Sequence, residues 1–370
     1  MSQKNKIVSL MILGVIFLRL YLDKLESFCD LAVYYAAGQK ILLHHTVYDV
    51  PGHFQYKYAP WISLLFGYLL TPFEFDSLKY TFHFLSLVAW LFYIVWMAKQ
   101  VQSRISAPFI FLLFLINHLA TELIVGQVNL WALASFAAMY VMLNKKTLLG
   151  DFWAGFLFCF AFSVKLSLLI AIPYLIFRRH WMVLVSASFA YLLFGVGVVS
   201  LTSGVDFTIS EHWAWIASLT KSSRELLDFH NNISILGMLM KASISFQVAS
   251  LIWGAFLGAF VLIQWKWRKS TPLFQLGLQG ASMVLLSPIA WQNWALYYFP
   301  ALLMQADTWV EYFMRSKRTQ ILGFLILAIM IILFQSFWHV LDYGPRTFSF
   351  FLILLGLILS ENKKRSVVAR

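Results

Sequence analysis

A chain of 370 residues that is 61% hydrophobic, with mean hydropathy +0.76 and only 12% charged residues, carries about half the charge of a soluble domain and reads as a polytopic membrane protein. Its formal net charge of +12 falls in short basic clusters between apolar runs, which fits orientation in a membrane and argues against nucleic-acid binding. Two cysteines, Cys29 and the apolar-flanked Cys159, argue against a disulfide framework or a thiolate metal site.

A bilayer crossing takes roughly 17 to 25 mainly apolar residues. The first run, Ile7 to Leu22, follows Met1-Ser-Gln-Lys-Asn-Lys6 and lacks a small-x-small cleavage site, so it reads as an uncleaved first span. Further spans are expected at Lys79 to Ala98, Ala107 to Leu123, Gly126 to Leu143, Leu149 to Ser163, Leu166 to Phe177 and Trp181 to Leu201. Ser245 to Trp265, Pro272 to Ser287, Trp294 to Gln305, Gln320 to Phe337 and Arg346 to Leu359 complete a set of about twelve.

The apolar run Tyr58 to Phe73 decides the orientation of everything after it. If it stays on the outer side, Lys99/Arg104, Lys145/Lys146, Arg178/Arg179, Lys266/Arg268/Lys269, Arg315/Lys317/Arg318 and Lys363/Lys364/Arg365 all share a side with Lys4 and Lys6. The preference for cytoplasmic Lys and Arg therefore places it outside, in the membrane plane, with both termini cytoplasmic in the plasma (inner) membrane. The uncharged polar segments then gather on the opposite face, within a first outer loop over residues 23–78, a long outer loop over 202–244, and the turns at Gly126, Val164 and Ser287. No internal repeat or linker interrupts the chain, so one integral-membrane domain over residues 1–370 is expected.

Several groups have chemistry to offer. Asp30, just after the first span, suits a general base that takes the proton of a sugar hydroxyl; Asp is also a favoured N-cap for a helix starting at Leu31. Tyr34, Tyr35 and Tyr58 offer hydroxyls and ring faces, although interfacial aromatics also serve as membrane anchors. Lys165 interrupts an apolar stretch, which marks it as paired or functional, or else as a lysine reaching to the interface from a helix end. A lipid-linked phosphate is a natural partner, with Lys57 and Arg224 as helpers.

His118 and Glu122 lie one turn apart and could orient one another, without the spacing of a metal pair. Gly126-Gln127-Val128-Asn129 opens a span, where free backbone amides face an anion or hydroxyl, or serve only as a cap. Asn231 and Asn232, preceded by His230, offer amides for sugar hydroxyls, and Trp291-Gln292-Asn293 offers a stacking ring and two more amides. No nucleotide-sugar or phosphate-loop motif is present, which places donor activation in a lipid phosphate, with no cofactor and no metal.

The ordered set Asp30-Leu-Ala-Val-Tyr-Tyr-Ala-Ala-Gly38, Tyr48-Asp49, Tyr58-Ala-Pro60, Gly126-Gln-Val-Asn129, Lys165 with Arg178-Arg179-His-Trp181, Asn231-Asn-Ile-Ser-Ile-Leu-Gly237 and Leu286-Ser-Pro-Ile-Ala-Trp291 resembles glycosyltransferase family 87, of the GT-C superfamily. The resemblance implies an all-α GT-C fold with membrane-parallel helices in the first outer loop. It also implies Asp30 as catalytic base in an inverting transfer, most directly α-mannosyl, from a polyprenyl-phosphate sugar to a hydroxyl of a glycolipid or cell-envelope glycan. Two elements depart from the family pattern. A His-His pair is replaced by Asn293-Trp294, leaving His230 or His212 as substitutes, and a Lys-x-x-Pro element reads Lys165-Leu-Ser-Leu168. Rival readings are a lipid-linked-sugar flippase or transporter, expected to place polar groups at mid-membrane in repeated halves, and an inactive scaffold.

Overall fold

The computed structural model describes residues 28–49, 55–100, 119, 121–229, 232–290, 292–298, 300–301 and 304. The expected spans Ile7 to Leu22, Gln320 to Phe337 and Arg346 to Leu359 lie outside these residues, as do most of Ala107 to Leu123, the end of Trp294 to Gln305, and His118. Among the described residues all regular structure is helical. The chain divides into two compact units.

The first unit holds residues 22–93 and 121–225. It begins with α1 (Cys29–Leu42) and α2 (Pro60–Leu70), followed by α3 (Phe75–Gln100), whose first part belongs to this unit. Pro60 sits at the start of α2, where its missing N–H costs nothing. At eleven residues, α2 has about half the length of a crossing. Gly38 and Gly67 let α1 and α2 pack backbone to backbone: a Cβ on Gly38 would stand 2.7 Å from the Gly67 nitrogen.

Residues 121–125 are helical, and α4 (Asn129–Leu143) and α5 (Leu148–Val164) follow. The α5 start is capped by Thr147, whose hydroxyl accepts the Gly150 N–H at 3.0 Å. The expected span Leu166 to Phe177 is not one α-helix. It is a 3-10 turn over Leu166–Ala171 followed by α6 (Ile172–Phe177), with Pro173 in the first turn of α6, where an imino acid is tolerated. After α7 (Trp181–Tyr191) the helix widens into a π turn over Leu192–Val198, which contains Gly195 and Gly197, and ends in α8 (Val199–Ser203). Beyond Gly204, at φ +91°, runs α9 (Val205–Glu225), a 21-residue helix where sequence analysis placed an outer loop.

The second unit includes α10 (Ile235–Lys241), α11 (Phe246–Trp267), α12 (Pro272–Leu286) and a 3-10 turn over Gln292–Tyr298. Every residue of α12 from Leu273 to Leu286 is buried, and Gly280 packs against the carbonyl of Tyr297. Among the described residues, Phe75–Met97, Trp181–Ser203 and Phe246–Trp267 are long and apolar enough to cross a membrane. Large apolar side chains face outward on each, among them Phe84, Leu192 and Leu251. That inside-out distribution is what a lipid solvent demands, and the chain is a membrane protein.

Candidate active site

The first unit draws together groups far apart in sequence through three hydrogen-bonded staples. The Phe28 N–H donates to the Ile124 carbonyl at 3.2 Å, which fixes the start of α1 against the 121–125 turn. The Ala59 N–H donates to the Ser163 carbonyl at 3.0 Å, and the Trp61 indole N–H to the Ser163 hydroxyl at 3.0 Å. These bonds hold the Lys57-Tyr58 segment on the last turn of α5, beside the helix break at Lys165. The Trp215 indole N–H closes the third staple on the Lys57 carbonyl at 3.0 Å.

Asp30 lies in the first turn of α1, which begins at Cys29 with Phe28 as its N-cap and no side-chain cap. The carboxylate therefore does not cap a helix from Leu31, although its charge still suits the positive end of the helix dipole. Phe28 holds φ at +25°, uncommon for a bulky residue. The Tyr34 and Tyr58 hydroxyls meet at 2.8 Å, and the Tyr48 hydroxyl donates to the Tyr58 carbonyl at 2.6 Å. Burial pushes the Tyr34 phenol well above its usual range, with the neighbouring Tyr58 and Asp30 adding to the effect. The Tyr58 phenol rises in the same way, through burial first and then Asp30, so both stay neutral hydrogen-bonding groups.

Lys165 caps the end of α5 with φ −136°, and its N–H donates to the Ala161 carbonyl at 2.8 Å. Its side chain is 9% exposed. Burial pulls its ammonium down from 10.5 to about 7, against the opposing pull of the Glu122 and Asp30 carboxylates, while Lys57 lowers it further. Burial also lowers the Lys57 ammonium, opposed by Asp30 and Glu225. Asp30 thus acts on both lysines, with Glu122 at Lys165 and Glu225 at Lys57, and these groups share one electrostatic environment.

Glu122, 1% exposed, accepts a hydrogen bond from the Asn129 amide at 2.7 Å, and the same amide bonds to the Gln127 side-chain oxygen. The backbone differs from the expectation of free amides at this turn. The Gly126 N–H is returned to the Leu123 carbonyl at 3.3 Å and the Gln127 N–H to the Glu122 carbonyl at 2.9 Å, and α4 starts only at Asn129. Sequence analysis had paired Glu122 with His118 and did not include it among the site residues. Its spacing to Asn129 across the Gly126 turn was the available signal.

Other candidates lie apart from this cluster in the contacts they make. The Tyr35 hydroxyl donates to the Phe73 carbonyl at 3.3 Å. Arg224 is exposed in the last turn of α9. His212 stays in α9, its Nδ1 2.8 Å from the Thr208 carbonyl.

In the second unit, two sequence motifs prove to be neighbours. The Asn232 amide donates to the carbonyls of Leu227 at 3.0 Å and Pro288 at 3.1 Å, and its oxygen accepts the N–H groups of Ser234 at 3.1 Å and Ala290 at 3.0 Å. The Ile233 N–H donates to the Ala290 carbonyl at 2.8 Å. Asn232 thus ties the Asn232–Gly237 stretch to the Ser287–Ala290 turn, its polar atoms engaged by the fold. His230, Asn231 and Trp291 lie outside the described residues; Gln292 and Asn293 begin the 3-10 turn. Among the described residues, no three His, Cys, Asp or Glu side chains are grouped to hold a metal ion.

Comparison with family models finds glycosyltransferase family 87 over residues 56–288, more than half of the chain. No curated protein and no solved structure gives a significant match. The matched stretch contains Lys57, Tyr58, Glu122, Gln127, Asn129, Lys165, Arg224 and Asn232, while Asp30 precedes it and Trp291 follows it. With a match of that extent, the chain belongs to glycosyltransferase family 87 and is a membrane glycosyltransferase.

Proposed function

We propose that the protein transfers a hexose, mannose first among candidates, from a polyprenyl-phosphate donor to a hydroxyl of a glycolipid or cell-envelope glycan, on the non-cytoplasmic face of the plasma membrane. The observation that carries this reading is the set of hydrogen bonds that fastens the helix start at Asp30 to the 121–125 turn with Glu122, and the Lys57-Tyr58 segment to the end of α5 beside the buried Lys165, in a membrane glycosyltransferase. Buried cations of this kind are expensive unless they meet an anion, and a lipid phosphate is an anion that arrives through the membrane.

In this reaction Asp30 accepts the proton of the acceptor hydroxyl as that oxygen bonds to the anomeric carbon. The bond from that carbon to the phosphate oxygen breaks on the opposite face, and its electron pair leaves with the polyprenyl phosphate. Lys57 and Lys165 stabilise the charge that grows on this leaving group, with Arg224 as a further cation at the rim. Tyr34, Tyr58, Gln127 and Asn129 position sugar hydroxyls, while Asn232 organises the turn that leads to Trp291, Gln292 and Asn293. The arrangement is of the GT-C type, with about twelve spans and both termini cytoplasmic.

The test is transfer from synthetic polyprenyl-phosphate mannose by the purified protein in lipid, supplied with cell-envelope acceptors, beside Asp30→Asn. Product that disappears in a folded, membrane-inserted Asp30→Asn variant is expected. Full turnover in that variant overturns the role of Asp30; transport of the lipid without transfer overturns the reaction.

A further inference from the structure

Helix α9 shows three kinds of surface along its length. One stripe, Thr208, Glu211, Trp215, Ser218 and Ser222, is buried against the first unit, and it is mostly polar. The Ser200 hydroxyl donates to the Thr208 hydroxyl at 3.1 Å, the Val47 N–H donates to the Glu211 carboxylate at 3.2 Å, and the Trp215 indole reaches the Lys57 carbonyl. A second stripe is exposed and apolar: Val205, Ile209, Trp213 and Ile216 are 60%, 53%, 68% and 49% exposed. Steps of four, four and three residues put these four on one side of a helix. The third side, with Ser210, Lys221 and Glu225, is exposed and polar, and Asp206 and Arg224 lie at its border with the apolar stripe.

In a water-soluble helix the apolar stripe faces the protein and the polar one faces water. Here a polar stripe faces the protein while the apolar one has no protein cover among the described residues. With Asp206, Glu211, Lys221, Arg224 and Glu225 along its length, α9 is also too charged to cross a bilayer. What borders it identifies the cover. The candidate span Trp181–Ser203 leads into α9 through Gly204 alone, and its last turn presents Leu201 at 89% exposure. The outward apolar surface of that span therefore continues onto Val205 and Ile209.

We propose that α9 lies in the interfacial zone of the bilayer, with the Val205, Ile209, Trp213 and Ile216 stripe set among acyl chains and the Ser210, Lys221 and Glu225 side in the headgroup water. An amphipathic helix partitions in this way when one side is apolar and another charged, and Trp213 is a residue type enriched at that depth. The buried third side gives the arrangement a purpose. Through Trp215 and Glu211, α9 holds both ends of the segment between Val47 and Lys57, so a helix resting on lipid fixes the height of Lys57 relative to the membrane. The inference concerns lipid contact and stands whether or not the donor is a polyprenyl phosphate.

Nitroxide labels on the full chain test it, in nanodiscs of phosphatidylethanolamine and phosphatidylglycerol, on a background carrying Cys29→Ser and Cys159→Ala. Single labels at Ile209→Cys and Trp213→Cys should collide with oxygen more than with a water-soluble nickel chelate, and a label at Ser210→Cys should show the reverse order. Val205→Cys and Ile216→Cys repeat the test if either first position gives poorly folded protein. Nickel collisions at 209 and 213 as frequent as at 210 would place the stripe in water. Immobile labels shielded from both reagents would show a protein partner covering it. Either result overturns the proposal.

Discussion

The Asn129 amide donates to the Glu122 carboxylate at 2.7 Å across the Gly126 turn, so the residue that opens α4 is held by an acid from the preceding helical turn. The same acid opposes the deprotonation of Lys165, so one carboxylate serves two structural neighbours. Glu122→Gln separates these roles, since its amide oxygen still accepts from Asn129 while the charge is gone. Polyprenyl-phosphate binding to Glu122→Gln should fail at lower pH than in the parent protein, because Lys165 releases its proton more readily. A pH profile superimposable on that of the parent would show that Glu122 acts on the turn alone.

Lys165 itself should give donor binding an alkaline limb. Its ammonium, near 7 in the folded protein, is the form that attracts phosphate, so affinity is highest below that pH and declines as pH rises through it. Stability follows the opposite sign. The unfolded lysine retains its proton up to about 10.4, so between roughly 7 and 10 the unfolded state binds more protons and folding gains with rising pH. Lys165→Arg, charged throughout this range, should flatten the alkaline limb in a titration of polyprenyl-phosphate affinity. Retention of the limb would assign it to another group.

Gly126 sets the turn that carries Gln127 and Asn129. It holds φ at +71°, and a Cβ there would stand 2.8 Å from the Leu31 Cβ. Gly126→Ala should lower stability by about 1–3 kcal/mol, from left-handed backbone strain together with displacement of the neighbouring helix start. Thermal unfolding in lipid reads the loss. The same variant should lose donor affinity, because Leu31 adjoins Asp30.

How much of this was legible in the sequence depends on the kind of signal. Lys165 stood out because a cation inside an apolar run is costly, and the structure leaves it 9% exposed within the electrostatic reach of the half-buried Asp30 and Lys57. The 3-10 turn after Lys165 was missed, although Pro173 marked a place where a helix restarts. Helix α9 was missed for a different reason. Its apolar residues are diluted by acids, lysine and serines, so a hydropathy reading sees a polar loop, and only the exposure of each residue separates the three sides. The partnership of Asn232 with Pro288 and Ala290 spans more than fifty residues and leaves no periodic trace in either segment.

Asn232 supplies the last prediction, because its two possible roles leave different marks. With 1% exposure and its amide engaged at Leu227, Pro288, Ser234 and Ala290, the side chain acts first as a clamp between two loop segments. Asn232→Ala leaves the Ser234 and Ala290 N–H groups and the Leu227 carbonyl short of a partner, while the Pro288 carbonyl keeps the Ser234 hydroxyl at 3.0 Å; each lost partner costs on the order of 1–3 kcal/mol before relaxation or water entry. A net loss of about 2–4 kcal/mol is expected, measured as a fall in thermal midpoint in lipid. Asn232→Asp keeps the acceptor for Ser234 and Ala290 but turns a buried carboxylate oxygen on the Leu227 and Pro288 carbonyls, so it should be at least as destabilising as Asn232→Ala. If both variants instead keep the parent midpoint and lose only sugar transfer, the amide contacts substrate directly, and the Ser287–Ala290 turn is held by the Ile233 to Ala290 backbone bond without it.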